Sequence, residues 1–320
     1  MADFITVLSI LADAQPHSVG ELALVAGLSS QQVCSLVTDL SADGLPVELA
    51  GDKVVWHRPV PLLDAERVVC AMTAQARAEF APPRIVTELD STSSELAAPS
   101  NASHGVVCAA ERQTGGRGRR GNRWLSAPCG SLCFSLRWHF AAAPTALGGL
   151  SLAVGIAVAA VLRERLGLPA GVKWPNDIYL DDRKLGGILV ELPSVAAGRS
   201  EAVIGIGLNV MLEAVDDIAQ QWTSLHHHLP PDALPDRNDL LAWLLNELAL
   251  ILPDFPDRGG SWVHDNWAAF DITFGREVSI HRDDEVLRGT AAGIDTAFRF
   301  LLRSRDNTRC FHSGDVSLRL

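Results

Sequence analysis

The stretch Val172-Lys-Trp-Pro-Asn-Asp-Ile-Tyr-Leu180 follows a long apolar run, and Asp182-Arg-Lys-Leu-Gly-Gly-Ile-Leu-Val-Glu191 comes one residue after it. Its Pro-Asn-Asp segment predicts a turn that presents an amide and a carboxylate at fixed geometry. Lys173 lies beside Trp174, and an ammonium near apolar surface acts strongly on a phosphate or carboxylate. For Asp177 taken alone, a structural cap of a hairpin is the simpler interpretation.

On both sides of this stretch, apolar strand-like runs alternate with helical ones. The predicted strands are 85–89, 105–110, 132–138, 188–192 and 202–210. The predicted helices are 65–78, about 149–166, and 239–252. This mixture predicts an α+β fold in which helices pack on a central mixed sheet.

The apolar run from 140 to 162 carries no charge and has the length of a membrane span. However, it contains Pro144 and paired glycines at 148 and 149, and charged residues follow it at 163 to 165. A buried helix that begins near Gly149 is therefore predicted in preference to a span.

The first 60 residues predict three short helices and a two-stranded wing. An apolar periodic segment covers 4–14, and two capping boxes follow, Ser18 with Glu21 and Ser29 with Gln32. In the third helix, one apolar stripe is formed by Val33, Leu36, Val37 and Leu40. With a hairpin over 47–49 and 53–56, this order is typical of a winged helix-turn-helix.

A proline-rich segment, Pro59-Val-Pro-Leu62, marks the end of this module, and the sequence changes character again near Thr273. From there, short strands alternate with Gly, Asp and Asn turns, at 277–280, 285–289, 298–303 and 316–319. This pattern predicts a small β-barrel of the SH3 type. The predicted domains are therefore 1–62, 63–271 and 272–320.

Composition and charge narrow the functional classes. With 48% hydrophobic and 20% charged residues, the chain is a globular protein rather than a disordered, fibrous or disulfide-scaffold one. Its net charge of −11 argues against a general nucleic-acid coater, because such a protein needs basic surface to bind phosphates.

The same argument bears on DNA binding by the N-terminal module. Residues 1–60 contain seven acids and two bases, a net charge of −5, and the third helix has no Lys or Arg. Its exposed face is predicted to present side chains that can bind base edges, namely Gln31, Gln32, Ser35 and Thr38. The architecture favours operator DNA and the charge argues against it, so a small interaction or dimerisation module is the alternative.

The six cysteines are scattered along a chain that begins without the features of a signal peptide. Reduced thiols and a cytoplasmic location are therefore expected. Cys129 and Cys133 are close in sequence but have no matching Cys or His pair, and no metal site is predicted.

A second chemical signal is the segment Gln113-Thr-Gly-Gly-Arg-Gly-Arg-Arg-Gly-Asn-Arg-Trp124. Between Glu111 and Trp124 there are five arginines and one acid, a local charge of +4. Glycine lets backbone amides approach an anion and arginine offers bidentate donors, so this loop suits a polyanion. It lacks the Gly-Lys-Ser/Thr end of a Walker loop, and Gly205-Ile-Gly207 lacks the third glycine of a dinucleotide fingerprint. A flexible basic surface loop or an RNA-binding patch is the alternative.

Taken together, these motifs resemble those of the biotin–protein ligases, in particular the bifunctional class that carries an N-terminal winged helix and also represses biotin synthesis genes. The resemblance covers almost the whole chain. The matching segments, in order, are Asp90-Ser-Thr92, Gln113 with the Gly-Arg-Gly-Arg-Arg-Gly loop, the five residues 173 to 177, Arg-Lys-Leu-x-Gly-Ile-Leu-Val-Glu from 183, Gly-x-Gly-x-Asn at 205 to 209, and Gly-Asp-Val-Ser-Leu-Arg near the end. Several motifs in one order are far more specific than any single motif.

The resemblance implies a two-step ligation with ATP and biotin as substrates and with Mg²⁺. The biotin carboxylate attacks the α-phosphate of ATP to give biotinyl-5′-adenylate and pyrophosphate. A lysine amine of the biotin carboxyl carrier protein of acetyl-CoA carboxylase then attacks the mixed anhydride. The resemblance also implies a class II synthetase-like catalytic domain, a homodimer formed through the central sheet, and operator DNA as a further partner.

By position, the resemblance implies a role for each matched residue. Biotin would be bound by Ser91, Thr92, Ser93, Gln113, Arg117, Gly118, Arg119 and Lys173. The nucleotide would be bound by Trp124, Asn176, Ile188 and Asn209. Arg119, Lys173 and Asp177 would act in catalysis, and Asp177 would orient or deprotonate the incoming lysine, whose unperturbed pKa is about 10.4.

Three positions depart from the pattern of the family: Ser93 stands for the usual Asn, Asn122 for a common Arg and Gly186 for a frequent Ala. The first two are expected to weaken ligand retention and the third to be a packing change.

Two other functions are alternatives. A lipoate–protein ligase shares the general fold and the adenylating chemistry, but it needs no Ser-Thr and Gln set for a ureido ring. A biotin-sensing DNA-binding regulator without ligase activity would have lost its catalytic residues, whereas Arg119, Lys173 and Asp177 are all present here.

Overall fold

The computed structural model describes residues 3–99, 103–196, 198–212, 221–282, 285–305, 307–313 and 317–319, and the structural statements refer to these residues. They form three β-sheets of three, seven and five strands. The seven-stranded sheet is mixed and the five-stranded sheet is antiparallel, so the predicted α+β class is confirmed.

The N-terminal part contains three helices and a small antiparallel sheet. The helices are α1 (Asp3–Leu11), α2 (Val19–Ala26) and α3 (Ser30–Ala42). The strands are β1 (His17–Ser18), β2 (Val47–Ala50) and β3 (Lys53–Trp56), in the order β1-β3-β2. Ser29 and Gln32 form the predicted capping box, which fixes the start of α3. Val33, Val37 and Leu40 of the predicted stripe are buried in the core that this part forms.

The single helix predicted over 65–78 is wrong. Two helices are present, α4 (Ala65–Ala71) and α5 (Ala74–Glu79). Met72 between them is extended with ψ 143°, and the hydroxyl of Thr73 accepts a hydrogen bond from Ala76 N–H at 3.1 Å. A threonine side chain that caps a new helix ends the previous one, because it offers the backbone donors an alternative partner.

The seven-stranded sheet forms the centre of the molecule. Its strands are β4 (Arg84–Leu89), β5 (Val107–Gln113), β6 (Ser131–Phe140), β7 (Gly171–Lys173), β8 (Asp177–Leu180), β9 (Arg183–Ala196) and β10 (Arg199–Asn209). They lie in the order β4-β5-β6-β10-β9-β8-β7, and only the β4–β5 pair is parallel. The five predicted strands correspond to β4, β5, β6, β9 and β10. The sequence does not predict β7 and β8, because three or four residues carry too little periodicity.

Four further helices belong to this central part. They are α6 (Thr92–Ala97), α7 (Leu150–Leu166), α8 (Arg237–Ile251) and α9 (Gly260–Phe270). The sequence does not predict α9, because this helix begins at the second of two consecutive glycines, and a glycine pair is typical of a helix end. α7 packs against β9, α8 and α9, which places it inside the core.

The apolar stretch Pro144–Leu166 is long and apolar enough to cross a membrane, and 67% of its most apolar window is buried inside the protein. The side chains of α7 are buried around nearly its whole circumference, as is typical of a core helix. The predicted buried helix is therefore confirmed.

The C-terminal part is an antiparallel sheet of five strands. They are β11 (Glu277–Arg282), β12 (Glu285–Ile294), β13 (Phe300–Arg303), β14 (Thr308–Phe311) and β15 (Ser317–Arg319), in the order β14-β13-β12-β11-β15. The sequence does not predict β14, and residue 316 of the predicted last strand lies outside the described residues. The strand predicted to begin at 298 begins at Phe300, because Phe298 closes a turn with φ 61° and donates its N–H to Asp295 O.

A buried ion pair inside the central part holds the connection that follows the N-terminal part. Arg237 Nη2 lies 2.7 Å from Glu111 Oε2, and both side chains are almost completely buried. Arg237 also donates to Pro61 O at 3.0 Å, and Glu111 accepts from Leu63 N–H at 2.5 Å. The pair thus binds the proline-rich connection to the sheet, and it satisfies backbone groups that would otherwise be buried without partners.

Replacing Glu111 by Gln is expected to lower the free energy of unfolding by about 3 kcal/mol, because it leaves the Arg237 guanidinium buried without a counter-charge. Urea denaturation followed by circular dichroism measures the change. The control is Arg258→Ala, which removes an exposed pair with Asp254 and should change stability by less than about 0.5 kcal/mol. Equal effects of the two substitutions would contradict the structural role of the buried pair.

Candidate functional site

A cavity of about 1140 Å³ opens on the central sheet between the basic glycine loop and the Lys-Trp-Pro-Asn-Asp turn. Strands β5, β6, β9 and β10 contribute to its floor and walls. Every residue predicted to bind biotin, to bind the nucleotide or to act in catalysis lines this one cavity: Ser91, Thr92, Ser93, Gln113, Arg117, Gly118, Arg119, Trp124, Lys173, Asn176, Asp177, Ile188 and Asn209. Residues from five separate segments of the chain, 91–93, 113–124, 173–177, 188 and 209, are therefore brought together.

One wall of the cavity is polar and comes from the start of α6. Ser91 is the N-cap of this helix, and its Oγ accepts from Ser94 N–H at 3.4 Å. Thr92 donates to Gln113 Oε1 with its backbone N–H at 2.8 Å and with its hydroxyl at 3.1 Å. Ser93 Oγ lies 3.0 Å from Ser135 Oγ of β6, a buried residue that sequence reasoning does not single out.

The floor of the cavity depends on glycine. A Cβ at Gly207 would lie 2.6 Å from the Trp124 indole, and one at Gly205 would lie 2.5 Å from Ser93 Oγ. A Cβ at Gly186 would meet Leu208 at 2.4 Å and the Gly207 carbonyl at 2.6 Å. The alanine that is frequent at this position would therefore require β9 and β10 to separate, in agreement with a packing change.

The arginines of the basic loop differ in their surroundings. Arg117 pairs with Glu191 at 2.5 Å, whereas Arg119 donates to Asn176 Oδ1 at 3.0 Å and to Ser313 O at 2.5 Å. Burial lowers the pKa of Arg119, and the nearby Asp177 carboxylate opposes this effect. An arginine held by neutral oxygens keeps its charge available to an anion in the cavity.

Arg112, counted with the loop in the sequence, belongs instead to β5. It pairs with Glu88 at 3.1 Å and with Asp43, the residue that follows α3, at 2.5 Å. Its charge is therefore used to join the N-terminal and central parts, and the arginines that line the cavity are Arg117, Arg119, Arg120, Arg123 and Arg276.

Two lysines line the cavity near the turn. Lys173 Nζ lies 3.0 Å from Tyr179 Oη and 4.9 Å from the centre of the same ring. Lys184 Nζ lies 2.8 Å from Asp177 Oδ1 and 5.8 Å from the Trp124 ring. Sequence reasoning gives no role to Lys184, although it stands in the quoted Arg-Lys-Leu motif. Lys184 pairs across the β8–β9 hairpin with Tyr179, two residues after Asp177, and this spacing in the predicted hairpin is the signal that could have found it.

Asn176 and Asn209 are held by backbone bonds. Asn176 Nδ2 donates to Ile188 O at 2.8 Å, and Ile188 N–H donates to Asn176 O at 2.9 Å. Asn209 Nδ2 donates to Thr223 O at 3.0 Å. These bonds fix the Pro-Asn-Asp turn against β9, so Asp177, the first residue of β8, begins a hairpin strand and also faces the cavity.

The carboxylates that line the cavity are paired with bases. Asp177 pairs with Lys184, and Asp182 accepts from Arg276 at 2.5 and 3.2 Å, a hydrogen bond that lowers the pKa of Asp182. Within the described ranges, no group of three or more His, Cys, Asp or Glu side chains could hold a metal ion. A divalent cation here would need ligands from a substrate as well.

The residues predicted to bind DNA lie elsewhere. Gln31, Gln32, Ser35 and Thr38 are all exposed on α3, and none of them lines the cavity. Gln32 Oε1 accepts from Ser29 N–H at 2.8 Å, and Thr38 Oγ1 donates to Cys34 O at 2.9 Å. Two of the four side chains are thus partly engaged in the helix itself.

Two protein families match the chain. The biotin/lipoate A/B protein ligase family matches residues 86–209, and the biotin protein ligase C-terminal domain matches residues 273–319. The bifunctional ligase/repressor BirA of Salmonella typhimurium is 34% identical over 319 residues, which are 98% of this chain and 97% of that protein. The protein of the same name from Escherichia coli is 32% identical over 98% of this chain and 96% of its own length.

A solved structure with a similar fold is the biotin protein ligase from Aquifex aeolicus in complex with biotin and ATP. It is 29% identical, has a TM-score of 0.63, and the match covers 74% of this chain and 98% of that one. The curated relatives match at both ends as well as in the cavity-forming centre, and their identity exceeds 30% over nearly the full length. The chain therefore belongs to the biotin protein ligase family.

Proposed function

We propose that this protein is an ATP-dependent biotin–[biotin carboxyl carrier protein] ligase. The observation that carries the proposal is the single cavity that joins a polar wall of Thr92 and Gln113 to a cationic end of Arg119, Lys173 and Lys184. A bicyclic ureido ring needs hydrogen-bond partners, and a carboxylate that reacts with a phosphate needs cations. The cavity provides both in one continuous volume.

The proposed first step joins two anions. The biotin carboxylate attacks the α-phosphate of ATP, the bond to the β-phosphate oxygen breaks, and pyrophosphate leaves. Arg119 and the two lysines reduce the repulsion between carboxylate and phosphate and stabilise the negative charge that develops on the phosphate oxygens. Lys184 is proposed to share the role of Lys173 in binding the carboxylate and the phosphate. The Lys173 ammonium is turned towards Tyr179, whereas the Lys184 ammonium lies near Trp124, the proposed cover of the adenine.

Trp124 is proposed to cover the adenine, and Asn176, Ile188 and Asn209 to bind the nucleotide. Magnesium would enter with the ATP phosphates, because the paired carboxylates of the cavity form no protein cage for it. The ion would neutralise phosphate charge, and the residues of this chain would position the nucleotide.

The second step transfers biotin to a lysine. Asp177 is proposed to accept a proton from the incoming ammonium or to orient the amine, and Lys184 at 2.8 Å holds the carboxylate in place. The carbonyl carbon of the anhydride forms an amide bond with the amine and AMP leaves. A loop ordered over the ligand would keep water from the anhydride.

The finer fold assignments belong to the same proposal. Residues 1–62 are proposed to be a winged helix-turn-helix domain, 63–271 a class II synthetase-like catalytic domain and 272–320 an SH3-like barrel.

β8 pairs with β9 only as far as Gly187, and the later part of β9 carries the exposed Leu192 and Val195. This edge is a suitable surface for a homodimer. A cytoplasmic location is proposed as well, and all six cysteines are free thiols.

The alternatives differ in what the cavity must recognise. A lipoate–protein ligase would place an apolar ring where Ser91, Thr92, Ser93 and Gln113 form the polar wall. A regulator without ligase activity would not need Arg119, Lys173 and Asp177 in one cavity. The arrangement supports the biotin ligase over both.

Incubation of the full chain with ATP, Mg²⁺ and a biotin carboxyl carrier domain is expected to label that domain when biotin is supplied and not when lipoate is supplied. Mass spectrometry of the carrier domain measures the labelling. Adenylate formation with lipoate alone would favour the lipoate ligase. No adenylate with either acid would favour the regulator.

Asp177→Asn is expected to slow transfer to the carrier domain by about a hundredfold, since a general base contributes at least this factor, and to slow adenylate formation much less. Pyrophosphate release and carrier labelling are measured in parallel. Equal losses in both steps would remove the assigned role. The matched control is Asp182→Asn, which removes the pair with Arg276 at the rim of the cavity.

DNA binding by the N-terminal domain is expected to be weak and sensitive to salt, because positions 1–60 carry a net charge of −5. Gel retardation of DNA upstream of biotin-related genes, at low salt with biotin and ATP present, measures it. A Gln31→Ala/Ser35→Ala double variant should abolish retardation and leave ligation intact. Unchanged mobility with the unaltered protein would exclude the repressor role.

A further inference from the structure

A chain of three hydroxyls lies directly behind the polar wall of the cavity. Its central member is Ser135, which is fully buried on β6 opposite Gly205 of β10. Ser135 Oγ lies 2.8 Å from Thr92 Oγ1 and 3.0 Å from Ser93 Oγ. Ser135 itself does not line the cavity, so it can act on a ligand only through these two neighbours.

The protons of these hydroxyls point one way along the chain, because the end at Gln113 is fixed. Gln113 Oε1 accepts from the backbone N–H of Thr92 at 2.8 Å, and a backbone amide cannot reverse its role. The Thr92 hydroxyl donates to the same oxygen at 3.1 Å. Since a hydroxyl has one proton, Thr92 must accept from Ser135, and Ser135 must in turn accept from Ser93.

This direction decides what the wall offers to a ligand. Ser93 has used its proton on Ser135 and keeps only lone pairs towards the cavity. Gln113 has used its carbonyl oxygen on Thr92 and keeps its amide protons. The wall therefore presents an acceptor at Ser93 and a donor at Gln113. A cyclic urea has the complementary groups, N–H donors and a carbonyl acceptor.

We propose that Ser135 is a positioning residue that passes the hydrogen-bond direction fixed at Gln113 on to Ser93, so that the Ser93 hydroxyl accepts from a ureido N–H of biotin. The proposal rests on the proposed function of this cavity as a biotin site. It also accounts for serine at position 93, where the family usually has asparagine. An asparagine brings its own fixed acceptor, whereas a serine hydroxyl can rotate and needs Ser135 to fix its direction.

Ser135→Ala is expected to raise the KM for biotin about tenfold, the effect of one lost hydrogen bond, with kcat and the KM for ATP within about twofold. Pyrophosphate release by the full chain measures these constants. Ser200→Ala is the matched control. Ser200 is a buried serine of the same sheet whose Oγ donates to Ala142 O at 2.8 Å, and it does not line the cavity.

A second readout separates polarity from simple loosening of the pocket. In a lactam analogue of biotin, a CH2 group replaces the ring N–H that faces Ser93, so the donor to Ser93 is absent while the carbonyl oxygen remains. The unaltered protein is expected to prefer biotin, and Ser135→Ala is expected to reduce the ratio of kcat/KM for biotin to that for the lactam about tenfold. A variant with a merely loosened pocket would lose both activities in proportion.

If Ser135→Ala is insoluble, Ser135→Cys replaces it, because a thiol keeps the shape of the serine side chain but is only a weak hydrogen-bond donor. The same change in selectivity is then expected, with a smaller rise in the KM for biotin. If the hydroxyls act as one chain, adding Ser93→Ala to Ser135→Ala raises the KM for biotin by less than the product of the single effects. Unchanged biotin KM and selectivity, or equal rises in KM for biotin and ATP, would overturn the role of Ser135. Absence of pyrophosphate release by the unaltered protein would instead overturn the proposed function.

Discussion

The cavity exists because two positions of β10, Gly205 and Gly207, have no side chain. Residues two apart on a strand point to the same face, so these glycines leave a strip of bare backbone on the sheet. The Trp124 indole and the Ser93 hydroxyl lie so close to this strip that a Cβ at either glycine would meet them at 2.6 Å or less. The Ser93 hydroxyl of the polar wall and the Trp124 indole can therefore lie against β10 only because positions 205 and 207 have no side chain.

Charged residues have different roles in different regions of the molecule. The chain carries a net charge of −11, yet the cavity is lined by several arginines and lysines. Three of these bases are held by carboxylates, Arg117 by Glu191, Lys184 by Asp177 and Arg276 by Asp182. The Arg117–Glu191 pair is accessible to solvent and therefore weak, so a substrate anion can replace Glu191 at little cost. The buried pair of Glu111 and Arg237 is different, because its charges have no access to water and bind the proline-rich connection to the central sheet.

The sequence predicts the long elements of this fold and misses the short ones. The 17 residues of α7 and the long strands β6 and β10 are apolar over enough positions to be recognised. The three-residue β7 exists because it pairs with the four-residue β8, which pairs in turn with β9, and such pairing leaves almost no periodic signal. The helix predicted over 65–78 fails for a local reason, the capping bond of Thr73, which depends on one side-chain rotamer.

The sequence by itself determined the chemical character of this protein: which motifs it has, their order, and therefore the residues that gather in one cavity. The tertiary structure alone decided how those residues are paired. Arg112 is near the basic loop in sequence but joins β5 to the end of α3, and Ser135 has no motif of its own yet lies 2.8 Å from the Thr92 hydroxyl and 3.0 Å from the Ser93 hydroxyl. The physical reason is that hydrogen bonds and ion pairs depend on distances of about 3 Å between residues far apart along the chain, and only the folded sheet sets such distances.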